Sequence, residues 1–149
     1  MLLTEEQSLI RDTARQFAQE QLAPKSAEWD REARFPKEAI AAMGELGFLG
    51  MLVAPEFDGA GADHVSYALS LIEVAAGDGA CSTIMSVHNS VGCMPIQKFG
   101  SPEQKERFLK PMARGEMLGA FCLTEPQAGS DAAAIKTRAE RDGNHYVLN

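Results

Sequence analysis

The sequence predicts a mainly α-helical chain that runs, at its end, into the truncated start of a β domain. Two observations carry this. Apolar residues recur at three- and four-residue spacing up to Gly115, between residues suited to starting and stopping helices. Beyond Gly115 the period changes. Ile135, Thr137 and Ala139 alternate with Lys136, Arg138 and Glu140, and Asp142-Gly143 is a hairpin signal. A sheet of two or three strands is not stable alone. The expected organisation is therefore an all-α domain over 1–116 and an incomplete β domain over 117–149.

Each element has a local reason. Thr4 caps the first helix, and Gln7 completes a capping box. Ile10, Ala14, Phe17 and Gln21 follow at helical spacing, with Leu9, Ala18 and Leu22 widening the face. Pro24 should end this helix by pushing Ala23 out of the helical region. A second helix starts at Pro36, carries Ile40, Met43 and Leu46, and stops at Gly47. Residues 48–53 are a short buried run and 55–62 a loop. Asp63 caps a third helix with Val65, Ala68, Leu69, Ile72 and Ala76 on its inner face, broken at Gly77-Asp78-Gly79. The fourth runs through an uncharged stretch, is irregular near Pro95 and ends at Phe99-Gly100. Ser101-Pro102-Glu103-Gln104 opens a fifth, with Phe108, Leu109 and Met112 buried and Gly115 closing it. Residues 117–123 read as a strand, 124–133 as a loop and 145–148 as a return strand.

Composition narrows the function classes. The 149 residues hold 14 Lys+Arg and 21 Asp+Glu, for a net charge of −7, and 45% are hydrophobic. This is a globular mix with too much apolar surface to stay disordered, and it has no basic cluster for nucleic acid. The uncharged stretch from Gly79 to Gln97 is broken by Ser82, Ser86, His88, Asn89 and Pro95, so it reads as a core helix and not a membrane span. Cys81, Cys93 and Cys122 are odd in number and lack C-x-x-C or zinc spacing. They read as small buried residues, with no metal site and a reducing compartment. The start of the chain has no secretory signal and is too acidic for a mitochondrial transit peptide, although a cleaved one would leave no trace.

The chemistry concentrates in Phe121-Cys-Leu-Thr-Glu-Pro-Gln-Ala-Gly-Ser-Asp131. A strand followed by such a turn presents backbone N–H groups beside the Thr124 and Ser130 hydroxyls, and Ala128 and Gly129 let a ligand approach the backbone. A flat polar ring or an anion would suit it. An ordinary Asx/Ser turn between strands fits the same residues.

This segment, with Ala134 after it, resembles the signature of the acyl-CoA dehydrogenases, flavoenzymes that oxidise acyl-CoA thioesters. Thr4-Glu-Glu-Gln7, Leu46-Gly-Phe-Leu-Gly50, Pro55-Glu-Phe-Asp-Gly59 and Phe99-Gly-Ser-Pro-Glu-Gln-Lys105 resemble family segments in the same order. The resemblance implies an N-terminal α domain, a middle β domain and a C-terminal α domain. It implies FAD as cofactor, held by Phe121, Cys122, Leu123, Thr124, Ala128, Gly129 and Ser130. Thr124 would meet the pyrimidine edge of the flavin, and Ser130 the CoA part of the substrate. The family's base is a glutamate of the C-terminal part, so it would lie beyond Asn149, and Glu125 and Asp131 would be structural.

Met85-Ser-Val-His-Asn-Ser90 resembles the short-chain members, where this stretch borders the acyl pocket. Met85 and Val87, with Val91 and Met94, are then either pocket-lining or plain core. His88 stands where short-chain members often have Asn. The resemblance further implies electron-transfer flavoprotein as acceptor, a homotetramer in the complete protein, and a bacterial cytoplasmic or mitochondrial matrix setting, the initiating Met1 favouring the former. The alternative is a truncated helical interaction module that binds no flavin.

Overall fold

The computed structural model describes residues 2–149. Five helical rods form the body. The first, α1, spans residues 5–31 as Glu5–Phe17, a π turn at Ala18–Leu22, and Ala23–Arg31. The others are α2, Lys37–Glu45; α3, His64–Gly77; α4, residues 79–99; and α5, residues 102–113. A hairpin of β1, Ala139–Asp142, and β2, His145–Leu148, follows.

The helix starts obey their caps. Thr4 and Ser101 both close capping boxes, with Gln7 and Gln104 respectively. Asp63 accepts from the N–H groups of Val65 and Ser66. Those bonds, the one from Ser66 foremost, hold its carboxyl below the usual range. Each such cap stabilises by about 1 kcal/mol.

Pro24 does not end the first helix. The π turn ahead of it carries the chain through: Ala23 N–H reaches back five residues to Ala18 O, and Ala23 stays helical. A proline ring clashes with the carbonyl four residues before it in an ordinary helix, and the wider turn relieves that clash. The device recurs. A π turn at His88–Cys93 precedes Pro95 in α4, and one at Lys105–Leu109 precedes Pro111 in α5. The irregularity expected near Pro95 is thus the turn just ahead of it. The first helix finally stops where Ala33 takes a left-handed φ of 50°.

The inner face of α3 is also different from the expected one. Ser66, Ser70 and Val74 are buried, while Ile72 is 63% exposed and Ala68 and Ala76 face outward. Small residues let the rods close up: a Cβ on Gly77 would lie 2.9 Å from the Ala18 Cβ. The Arg15 guanidinium clamps the pair by a two-bond contact to Glu73, at 3.0 and 2.7 Å. Leu9 and Gln21 of α1 and Leu46 after α2 likewise face solvent.

The core has two parts. One gathers Phe17, Leu22, Trp29, Met43, Leu49, Cys81 and Met85, among others. The other gathers Val53, Cys93, Leu109, Met112 and Ala113. Burial pushes the Cys81 and Cys93 thiols up to about 12, so both stay protonated. Cys122, expected to be buried, is exposed because its segment lies on the surface.

Residues 117–123 form no strand. The stretch takes no regular secondary structure, and among the described residues no strand pairs with it. The predicted strand from Ile135 begins only at Ala139, and both faces of the hairpin are exposed. Arg138 and Asn149 exchange one further pair of backbone hydrogen bonds at its open end.

Candidate functional site

The chain leaves α5 through Gly115, whose φ of +73° only glycine adopts readily. A Cβ there would meet the Gly44 Cα of α2 at 2.7 Å, so the exit is pressed against α2. Arg114 fixes it from outside, bonding Asp58 at 2.6 Å and both oxygens of Glu116 at 2.8 and 2.9 Å. These bonds, those to Glu116 first, raise the Arg114 pKa.

Residues 117–120 then cross α4 at its π turn. Gly119 N–H donates to His88 Nδ1 at 3.0 Å, and His88 Nε2 lies 3.0 Å from Met112 O. Since Nδ1 accepts, the ring proton sits on Nε2 and is donated to that carbonyl. The imidazole is fully buried. Burial lowers its pKa, the Met112 carbonyl opposing, so the ring is neutral. Its neighbour Asn89 is also fully buried. It donates to Phe48 O and Met85 O and accepts from Leu52 N–H. Adjacent residues of one π turn thus hold two separate stretches of backbone.

The loop itself is built by its acids. Glu125 and Ala128 exchange backbone hydrogen bonds around Pro126-Gln127, at 2.8 and 3.1 Å. The Glu125 carboxylate accepts from the N–H groups of Lys136 and Thr137, both at 2.9 Å, and from the Thr137 hydroxyl and the Gln127 amide. The bond from the Thr137 hydroxyl leads in pulling its pKa down to about 2. Asp131 accepts from Ala133 N–H at 3.1 Å and starts the short turn Ala132–Ala134. Both carboxylates are therefore engaged within the loop.

What remains open is the donor row. Among the described residues, the hydroxyls of Thr124 and Ser130 and the N–H groups of Thr124, Gly129 and Ser130 find no hydrogen-bond partner. A Cβ on Gly129 would touch nothing closer than the Thr124 methyl at 4.0 Å, so the space there is free. Phe121, 52% exposed, and half-buried Leu123 give the row an apolar edge. Ala128 is buried and anchors the turn. This donor set fits a planar ligand with a polar acceptor edge, as the flavin ring has.

The members of the second candidate group differ in burial. Met85 has no accessible surface and lies in the larger core, so its place is packing. Val87 and Met94 are half-buried, and Val91 is exposed. No described helix is long and apolar enough to cross a membrane. Among the described residues no His, Cys, Asp and Glu side chains gather as a metal site.

Two features escaped the sequence reading. The His88–Gly119 bond links residues 31 apart, and no local pattern announces it. The bonds that Glu125 accepts from residues 136 and 137 are similarly remote in sequence.

Comparison with known proteins agrees with this architecture. The family model for the acyl-CoA dehydrogenase N-terminal domain matches residues 4–116, and the chain belongs to the acyl-CoA dehydrogenase family. It is 44% identical over 149 residues to the 3-(aryl)acrylate reductase of Clostridium sporogenes, covering 100% of this chain and 40% of the relative. It is 43% identical over 147 residues to the mitochondrial short-chain specific acyl-CoA dehydrogenase of Rattus norvegicus, covering 99% and 36%. Among solved structures, a glutaryl-CoA dehydrogenase from Mycobacterium smegmatis in complex with FADH2 superposes with a TM-score of 0.93 at 39% identity, covering 99% of this chain and 38% of that one. The chain spans about two fifths of the length of the curated relatives it matches.

Proposed function

We propose that this chain is the N-terminal part of an FAD-dependent acyl-CoA dehydrogenase acting on short-chain acyl-CoA thioesters. Residues 1–116 form its all-α domain and 117–149 begin the middle β domain. The carrying observation is the open donor row from Thr124 to Ser130 in a chain 43% identical to a short-chain specific enzyme.

When bound, FAD supplies the acceptor for the hydride that leaves the substrate β-carbon. The chain's own residues bind and orient. Thr124 would offer its N–H and hydroxyl to the polar edge of the ring, and the N–H groups of the loop would favour negative charge there. Phe121, Cys122 and Leu123 would line the flank of the ring. Ala128 and Gly129 keep the approach open, and Ser130 faces the thioester. Glu125 and Asp131 are spent on the loop, so removal of the α-proton falls to a carboxylate outside these residues. Val87 remains the candidate for the acyl end, while Met85 belongs to the core. The reading is completed by electron-transfer flavoprotein as acceptor, a homotetrameric complete protein and a bacterial cytoplasmic setting.

The test is FAD titration of the intact gene product, followed by visible absorbance. Thr124→Ala should weaken binding by about tenfold and leave thermal unfolding of the helices unchanged. Unaltered affinity and unaltered potential together would remove Thr124 from the site. No uptake of FAD by the unmutated protein would leave the helical interaction module as the reading. The 44% identity to an arylacrylate reductase favours a second direction of use, reduction of an α,β-double bond. Reoxidation of the reduced protein by an arylacrylate, and not by a short-chain enoyl-CoA, would select it.

A further inference from the structure

We propose that His88 is the positioning residue of the donor loop. Its imidazole latches the entrance of the loop to the helical body and so sets where Phe121 to Ser130 stand relative to α4.

Three observations support this. First, the link is direct: Gly119 N–H donates to His88 Nδ1 at 3.0 Å, two residues before Phe121. Second, the imidazole is itself held. Its Nε2–H is donated to Met112 O at 3.0 Å, and Met112 is 3% exposed within the smaller core. The two bonds demand one tautomer, so the ring cannot turn over without breaking both. Third, the crossing is close. A Cβ on Gly119 would lie 2.6 Å from the Met112 methyl and 3.4 Å from the Gly92 Cα. Two glycine backbones meeting over the π turn allow the N–H to reach the ring.

Other ties on this segment lie upstream. Glu116 N–H and Met117 N–H donate to Pro111 O, at 2.9 and 3.2 Å. Between Gly119 and the Glu125–Ala128 turn, no described residue takes a hydrogen bond from the backbone N–H groups. The latch is thus the last fixed point before the donor row. No charged side chain contributes to the titration of His88. Lys110 of α5 pairs with Glu106, and Arg114 just after it pairs with Asp58 and Glu116.

The positional part of this inference stands on geometry alone, and its consequence for flavin rests on the function proposed above. A pair of variants separates the two nitrogens. In His88→Asn the side-chain oxygen takes the place of Nδ1 and can still accept from Gly119 N–H, while the bond to Met112 O is lost. In His88→Gln the amide takes the place of Nε2 and keeps the Met112 bond, while Gly119 N–H is left unpaired. Each variant loses one of the two hydrogen bonds of the imidazole, so a merely structural role predicts similar behaviour.

The experiment is hydrogen exchange over residues 117–124 together with FAD titration, in the intact gene product and both variants. His88→Gln should speed exchange of the Gly119 amide by about tenfold and weaken FAD by a similar factor. His88→Asn should stay close to the unmutated protein in both. Equal exchange and equal affinity in the two variants would overturn the latch. Faster exchange in His88→Gln from a protein that takes up no FAD would uphold the latch and overturn the flavin reading.

Discussion

Residues 5–113 enclose side chains such as Leu22, Met43, Leu49 and Leu109 with no accessible surface. In the arm of residues 117–149, only Ala128 is buried, and all eight strand residues are exposed. The body is held by packing, and its polar residues serve that packing: Asn89 and His88 each fasten backbone from the inside. The arm is held by hydrogen bonds, many of them accepted by the Glu125 carboxylate. Burial is shared among many residues, whereas the order of the arm hangs on single side chains. A region built that way can present unpaired donors, which a packed region must satisfy.

Four measurements probe the contrast. The largest effect is expected from Leu49→Ala, which empties a fully buried position and should cost about 2–5 kcal/mol in denaturant unfolding. Next is Asn89→Ala, which strands the Phe48 carbonyl and the Leu52 N–H and should cost about 1–3 kcal/mol. A smaller loss at either site would mean that the body relaxes around the gap.

The third effect concerns pH and is confined to the arm. Glu125 is held at about 2 in the folded chain against an ordinary 4.5. A lowered carboxyl stabilises the folded form above its ordinary value, and that contribution fades as pH falls from 4.5 toward 2. Exchange protection of the Lys136 and Thr137 amides, corrected for intrinsic rates, should decline across that window. Glu125→Gln should abolish the decline, and protection that persists unchanged would release the loop from its carboxylate. The smallest effect is expected from Tyr146→Ser on the exposed hairpin, within about 0.5 kcal/mol of no change in the unfolding of the helices.

Much of the body was legible because its signals are local. Thr4, Asp63 and Ser101 each cap the helix they were expected to cap, since a cap needs only the next three residues. Pro24 misled because the rule that proline ends a helix assumes an ordinary turn ahead of it. The face of α3 misled because serines and alanines differ little in size, and the close approach of its Gly77 to Ala18 of α1 turns the small residues inward. The donor loop was legible from its composition and its resemblance to family members. Its supports were not: His88 with Gly119, and Glu125 with Thr137, are contacts that only the folded chain brings together.

The π turn of α4 has a consequence for how one rod can serve two neighbourhoods. Each such turn takes up one residue more than an ordinary turn, which advances the angular phase of everything beyond it by about 100°. Before the turn, Cys81 and Met85 point into the larger core; at its end, Cys93 points into the smaller one. The rod works as a splice between two gears cut at different angles, and His88 and Asn89 sit at the joint. Removing one residue there would leave the sequence of α4 almost intact and its second half turned toward the wrong partner.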